Sequence, residues 1–374
     1  MSPANKILVA ALAAASAFAQ NAPLHGGKIN FPTNSPLSLL STDWGESGVQ
    51  ARGGAMVVDL RLSLQLRNED KRRIRGVTLA VVTQQSAPGG KAWITVPTLD
   101  VAAGEAFPIR WNVQLLRPMN NGGLPDVEVT LDGVLFDNLS FFGPDVMKSR
   151  RAMTVWELES RRDRKYFSSL LETQGETGLR AAIVDSMQRQ ADRKVQPGMS
   201  LASGRGPRLT NSSEGERRID VAFLKIPESP IEPLSGVARI NGNEAVVPQF
   251  EIRNKSDRWV KHFEMGLVVR DKEGHEFLAG SAPADPSLGP GQRSQVTQET
   301  SLRFNGSVPV DSISGVVTSV EFNDGQFWIP SRAALASDPR LRGVIPPSPE
   351  EQRLMQIYRK RGLSGVIEEL KRGN

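Results

Sequence analysis

The chain contains no cysteine, and that one absence removes disulfides, thiolate zinc sites, iron–sulfur clusters and cysteine nucleophiles together. Histidine is nearly as scarce. His25, His262 and His275 are the three in the sequence, too few and too scattered for a histidine-built metal site or a base-assisted serine nucleophile. No G-x-S-x-G, H-E-x-x-H, phosphate-binding G-x-x-x-x-G-K or dinucleotide-binding glycine pattern occurs. No run of alternating acids of the calcium-loop type exists either, so Asp43, Glu46, Asp132 and Asp324 read as structural carboxylates, with Asp132 and Asp324 opening Asp-Gly hairpins. Past the N-terminus, no apolar run reaches the roughly 18 residues a membrane-spanning helix needs. These absences leave no catalytic, cofactor-binding or metal-binding residue to nominate, and point to a chain that is not an enzyme.

What is present begins with an address. Lys6 is followed by an apolar run from Ile7 to Ala15 and then Ala17-Phe18-Ala19, the charged, apolar and small-residue order of a secretory signal peptide cleaved after Ala19. The expected destination is a bacterial periplasm or the cell exterior, with no transmembrane anchor. An exported chain without disulfides must hold its folds by packing alone.

The remaining 355 of the 374 residues contain a repeat. Leu64, Arg67-Asn68, Ile74, Val77, Leu79 and Val81 align without gaps to Phe250, Arg253-Asn254, Val260, Phe263, Met265 and Leu267. Val101 and Gly104 correspond to Leu288 and Gly291. Asp132-Gly133-Val134-Leu135-Phe136 is set against Asp324-Gly325-Gln326-Phe327-Trp328 as the third landmark. Between landmarks, Leu60, Leu62, Leu64 and Leu66 alternate with polar residues, as do Ile109, Trp111, Val113 and Leu115. That period of two marks strands buried on one side. Asn68-Glu69-Asp70 and Asn254-Lys255-Ser256 favour turns through side chains that bond their own backbone, and Pro290-Gly291 suits the centre of a type II turn. Short strands separated by such turns predict two immunoglobulin-like β-sandwiches, in a fold that is mainly β with α.

Each sandwich is followed by a helical pattern broken by glycine. Tyr166, Phe167, Leu170 and Leu171 lie at helical spacing before the break at Gly175 to Gly178, and Leu354, Ile357 and Tyr358 precede Gly362. Gly178 to Ile183 matches Gly362 to Ile367. Ser348-Pro349-Glu350-Glu351 reads as an N-cap, a helix-opening proline and a capping-box glutamate. The expected organisation is a signal peptide at 1–19, a first sandwich with lead-in at 20–145, a helical hairpin at 146–195, a flexible linker at 196–217, a second sandwich at 218–332, and a connector with a C-terminal hairpin at 333–374.

Two surfaces are candidates for binding. Trp44, Trp93 and Trp259 are the tryptophans that strand parity leaves uncommitted to a core, and Trp259 sits between Arg258 and Lys261. Residues 340–374 hold eight basic and four acidic side chains, +4 of the chain's formal +5, with Arg359, Lys360 and Arg361 at their centre. Cations at helix ends complement the helix dipole, and they also attract anionic partners. Nucleic acid is not expected, because the aromatic residues fall on core faces and not between basic ones.

Phe250-Glu251-Ile252-Arg253-Asn254-Lys255-Ser256, Phe263 to Asp271, Gly274 and Leu288-Gly289-Pro290-Gly291 together resemble the FxLYD-type immunoglobulin-like domains of exported bacterial proteins. The first copy lacks the Asp-x-x-Gly after Val82. The resemblance implies a sandwich with interaction roles and transfers no catalytic residue. The sequence thus points to an exported, non-enzymatic binding or structural protein of the bacterial envelope. Its partner would be an envelope or extracellular protein, or an anionic polymer or glycan. The alternatives are a polysaccharide-acting hydrolase with dispersed carboxylates and a carbohydrate-binding accessory module.

Overall fold

The computed structural model describes residues 22–24, 26–52, 54–83, 90–118, 126–192, 199–203, 217–241, 244–297, 300–304 and 310–372. The expected signal peptide at 1–19, His25, and most of the expected linker lie outside these. The protein is mainly β with α, and divides into two compact units, 1–157 and 158–374.

The first unit is a two-sheet sandwich. Its strands are β1 (Ala22–Pro23), β2 (Lys28–Asn30), β3 (Leu37–Asp43), β4 (Gly48–Arg52), β5 (Ala55–Asn68), β6 (Ile74–Val82), β7 (Lys91–Val96), β8 (Ala106–Pro118), β9 (Glu128–Phe136) and β10 (Phe141–Phe142). One sheet runs β1-β4-β5-β3 with β8 on the other side of β5, and the second runs β10-β9-β6-β7 with β2 parallel to β9. Residues 20–55, the less regular stretch expected to add a strand or simply lead in, supply four of these strands. Leu60, Leu62, Leu64 and Leu66 of β5 alternate into the core as their spacing predicts, against Ile74, Val77, Leu79 and Val81 of β6. β6 is buried on both faces, because the first turns of helix α1 (Ser149–Asp192) lie over its outer side. There the Met153 Sδ sits 3.7 Å from Thr78 Oγ1, and a Cβ on Gly76 would stand 2.8 Å from the same sulfur.

The second unit contains the second sandwich: β11 (Met199–Ser203), β12 (Arg217–Asp220), β13 (Ala222–Phe223), β14 (Ile231–Asn241), β15 (Glu244–Asn254), β16 (Val260–Asp271), β17 (Glu276–Ala284), β18 (Arg293–Thr297), β19 (Thr300–Phe304), β20 (Val310–Phe322) and β21 (Phe327–Trp328). One sheet runs β11-β19-β15-β14-β12 with β18 on β15. The other runs β13-β20-β16-β17 with β21 on β20. Met199–Ser203 falls inside the stretch expected to be linker, and it pairs antiparallel with β19 over five residues. Phe250, Ile252, Phe263, Met265 and Leu267 fill the core between the sheets.

The expected connector after residue 332 is folded. It forms α2 (Arg332–Ser337) and α3 (Pro339–Val344), started by side-chain caps from Ser331 and Asp338. Ala334, Leu341 and Val344 pack on Val268 and Val316, the outward residues of β16 and β20. The two helical hairpins also share one core. Phe167, Leu179 and Ile183 of α1 meet Leu354, Leu363, Val366 and Leu370 of α4 (Pro349–Arg372).

Two repeat alignments are corrected by the structure. The glycine hinges that correspond are Gly175 (φ 67°, ψ −162°) and Gly362 (φ 67°, ψ −166°), so Gly178 matches Gly365, three residues away from the sequence pairing. A Cβ on Gly178 would come 2.4 Å from Gln174 Cβ, and one on Gly365 2.5 Å from Arg361 Cβ, the same close approach in both. The third β landmark is out of register by six residues. Phe136 matches Phe322: each donates its backbone N–H to the carbonyl of the residue four on, Ser140 O or Gln326 O, and each lies under an arginine. Asp132-Gly133 is therefore not a hairpin. It sits within β9, where the Phe141 ring occupies the space a Gly133 side chain would take. The Asp132 carboxylate accepts from Val146 N at 2.9 Å and tethers the chain before α1.

Candidate functional site

The corner that carries Trp259 is built around Asn254. Its side-chain amide donates to Arg258 O (2.7 Å) and Leu288 O (3.0 Å), while its Oδ1 accepts from Ser256 N (2.9 Å). Asn254 N donates to Gln292 O and Gly291 N donates to Asn254 O, both at 3.0 Å, so the Gly289–Gln292 turn is latched to the end of β15. Gly291 has φ 71°, the left-handed conformation that the third position of a type II turn requires. Trp259 lies over this turn, with its ring carbon Cζ2 3.2 Å from where a Gly289 Cβ would be, and its carbonyl accepts from Asn323 N at 3.0 Å. It keeps 50% of its surface exposed on this hydrogen-bonded frame.

The cations expected beside it are engaged elsewhere. Arg258 pairs with Asp324 and lies 3.9 Å over the Phe322 ring, and Lys261 Nζ is 2.9 Å from Glu321, whose side chain is buried. The candidate surface is thus an exposed indole and not a basic patch. Arg361 pairs with Glu368, while Arg359 and Lys360 are exposed beside it on α4, a separate location from Trp259 in the chain. Trp44 is partly buried against the first core, and Trp93 on β7 is half-buried with its Nε1 enclosed. His262 is 2% exposed within β16, held by Asp285 (2.9 Å) and Glu264 (3.2 Å). The β16–β17 turn gathers Asp271, Glu273 and His275, with ligand-type atoms within 4.8 Å of one another. Asp271 is used by the turn itself, accepting from Glu273 N and His275 N at 2.9 and 2.8 Å.

A second site was not visible from the sequence. A cavity of about 460 Å³ opens in the second unit, between α1 and the segment from α2 to α4. Arg332 forms its floor, bonded to Glu351 (3.1 and 3.2 Å) and Asp163 (3.1 Å), with its guanidinium 4.3 Å over the Tyr166 ring. Burial works against this charge, but the bonds it donates to Glu351 and Asp163 outweigh that and hold the guanidinium above its ordinary pKa. Burial likewise opposes ionisation of Asp163, and Arg162 and Arg332 overcome it, holding the carboxyl below its usual range. Glu351 does not close the expected capping box. Ser348 Oγ caps Glu351 N at 3.1 Å, while the Glu351 carboxylate turns to Arg332, Arg189 and Ser186. At the mouth, Asp185 is shared by Arg189 and by Arg342, which reaches both carboxylate oxygens through Nη2 at 2.8 and 2.9 Å. One turn before this network, burial pushes the Glu159 carboxyl up to about 7, with Arg162 opposing and Asp163 adding to the shift.

No protein-family model and no curated protein matches the chain. Among solved structures, a β-glucosidase from Kluyveromyces marxianus in complex with glucose is similar at 9% identity, over 74% of this chain and 46% of that chain, with a TM-score of 0.17. The selenomethionine-labelled form of that β-glucosidase gives 8%, 72%, 45% and 0.17. Allantoicase from Saccharomyces cerevisiae gives 7% identity, 74% of this chain, 82% of that chain and a TM-score of 0.08. The chain spans under half the length of the β-glucosidase, and at these scores neither likeness bears on its fold or activity. Among the described residues, no helix is long and apolar enough to cross a membrane.

Proposed function

We propose that the mature chain is an exported, non-enzymatic binding protein of the bacterial cell envelope, made of immunoglobulin-like units of the FxLYD type, that engages a partner protein through the Trp259 corner of its second sandwich. The observation that carries this reading is the half-exposed indole on a frame immobilised by Asn254 and the Gly289–Gln292 turn. A rigid exposed tryptophan gives large contact area at little entropic cost, the profile of an interface hot spot. The first sandwich has Arg73 at the matching position, paired with Asp100 at 2.9 Å, so the indole is not a demand of the corner itself. A glycan-stacking surface of Trp44, Trp93 and Trp259 is not favoured, since Trp44 packs into a core.

The test is affinity capture from an envelope fraction with the mature wild-type chain, Trp259→Ala and Arg73→Ala. A specific protein retained by wild type and Arg73→Ala, and lost with Trp259→Ala, is the expected result. Equal recovery by all three chains, or retention and turnover of glycans in place of a protein, would overturn the reading.

A further inference from the structure

The cavity between α1 and the α2–α4 segment stands apart from the Trp259 corner and from the proposed partner binding. We propose that it binds a single carboxylate carried on a compact apolar group. Its volume, about 460 Å³, lies in the range of small-molecule sites. Its apolar wall comes from Leu335, Leu341, Ile345, Pro346 and Pro347, and the two prolines fix that wall with little loss of chain entropy on binding.

Charge selects the head group. The floor is self-satisfied: Arg332 is matched by Glu351 and Asp163, and Arg162 by Asp163 at 2.8 Å and by Pro330 O at 3.0 Å. Floor and mouth together leave one positive charge over, because Arg162, Arg189, Arg332 and Arg342 share three carboxylates: Asp163, Glu351, which also lies 3.2 Å from Arg189, and Asp185, which faces both Arg189 and Arg342. Arg342 engages Asp185 through Nη2 only among the described residues, leaving Nη1 and Nε as further donors, and its side chain is 51% exposed. One surplus positive charge with unused guanidinium donors at the mouth fits one carboxylate. A dianion would bring a second negative charge to a cavity whose deeper arginines are already neutralised.

Such a carboxylate is found on free aryl or alkyl acids and on the C-terminal residue of a peptide. The experiment is calorimetric titration of the full mature chain with phenylacetate, with N-acetyl-alanyl-phenylalanine, and with the amide of each. At least one acid binds with a dissociation constant below about 1 mM, and its amide binds about tenfold or more weaker. Tighter binding of the dipeptide assigns a peptide C-terminus as the source, and tighter binding of phenylacetate a free acid. Arg342→Gln weakens binding about fivefold or more with little change in the unfolding midpoint, since it breaks a solvent-exposed pair. Ala336→Trp, which fills the cavity from the exposed side of α2, abolishes binding in a folded chain. Absence of binding by both acids up to about 10 mM, amides equal to acids, inorganic phosphate as tight as either acid, or indifference to both substitutions would each overturn the proposal.

Discussion

The two sandwiches use one corner and cover it differently. Asn68 and Asn254 hold equivalent networks. Asn68 donates from its amide to Arg72 O, Val101 O and Ala102 O at 2.9 to 3.2 Å, and Asn254 to Arg258 O and Leu288 O. Each accepts from the residue two on, each is latched by a glycine N–H, and each is followed by an arginine over a phenylalanine. Outside the corner the copies part. Sheet β10-β9-β6-β7 is covered by the unbroken first turns of α1, with Gly76 admitting Met153. Sheet β13-β20-β16-β17 is covered by α2 and α3, broken at Asp338-Pro339, and carries the buried His262 at the position of Gly76. The corner is constrained by buried carbonyls that need donors, which only an asparagine there supplies. The cover needs only an apolar face of fitting shape, so it is free to diverge.

If the corners are one device, removing its centre must cost both sandwiches alike. Asn68→Ala and Asn254→Ala each strand buried carbonyls and free a turn, with an expected loss of about 3 kcal/mol from the sandwich concerned. Urea unfolding followed by hydrogen exchange, which separates the two cores, measures this. A loss confined to one copy would break the equivalence.

A smaller effect sharpens the contrast in the covers. Before its hinge at Gly175, helix α1 carries Glu159, whose pKa is raised by burial to about 7. Because the folded value lies above the unfolded one near 4.5, its favourable contribution is complete below about pH 4.5 and is lost as pH rises through 7. Wild type is therefore expected to lose on the order of 1–3 kcal/mol in the α1 bundle between pH 5 and 8, a slope that Glu159→Gln removes. Unfolding midpoints across that range, for wild type and variant, check it.

Much of this was legible in the sequence, and the failures have physical causes. Strand alternation in β5 and β8, the Asn-centred turns and the Ser348 cap rest on local chemistry, and the residues that signal them are the residues that perform them. The misplaced third landmark arose because Asp-Gly is a strong local hairpin signal wherever it stands. At Asp324-Gly325 the turn is real, with Gly325 at φ 78°, but in the first copy its equivalent is Asn138-Leu139, with Leu139 itself at φ 64°. Asp132-Gly133 answers instead to a tertiary demand, the Phe141 ring, that no window of sequence displays. Pro339 and Pro346-Pro347 read as a stiff connector because proline breaks helices, yet Pro339 opens α3, where its missing N–H costs nothing. The arginine cavity draws on Arg162, Arg189, Arg332 and Arg342, brought together by folding across about half the chain, and no spacing rule reaches that far.

The smallest expected effect separates the two arginines of the shared corner. Arg72 lies 3.7 Å over Phe136 and Arg258 3.9 Å over Phe322, so Arg72→Gln and Arg258→Gln should each cost about 0.5–1 kcal/mol through the lost ring contact. Their carboxylate partners differ in origin. Arg72 bonds Asp70 two residues away and holds its carboxyl down to about 2, whereas Arg258 reaches across to Asp324 on the β20–β21 turn. A depressed carboxyl contributes above its unfolded pKa near 3.8, and that contribution fades as pH falls toward the folded value. Chemical-shift titration of Asp70 should therefore show its midpoint rise toward 3.8 in Arg72→Gln, with the local turn intact, because Asp70 N still bonds Asn68 Oδ1. In Arg258→Gln the β20–β21 turn loses its tie to the corner, so backbone exchange at Gly325 and Gln326 should quicken. Equal protection of that turn in wild type and variant would show that the Asp324 pair is an accessory to the corner and not part of it.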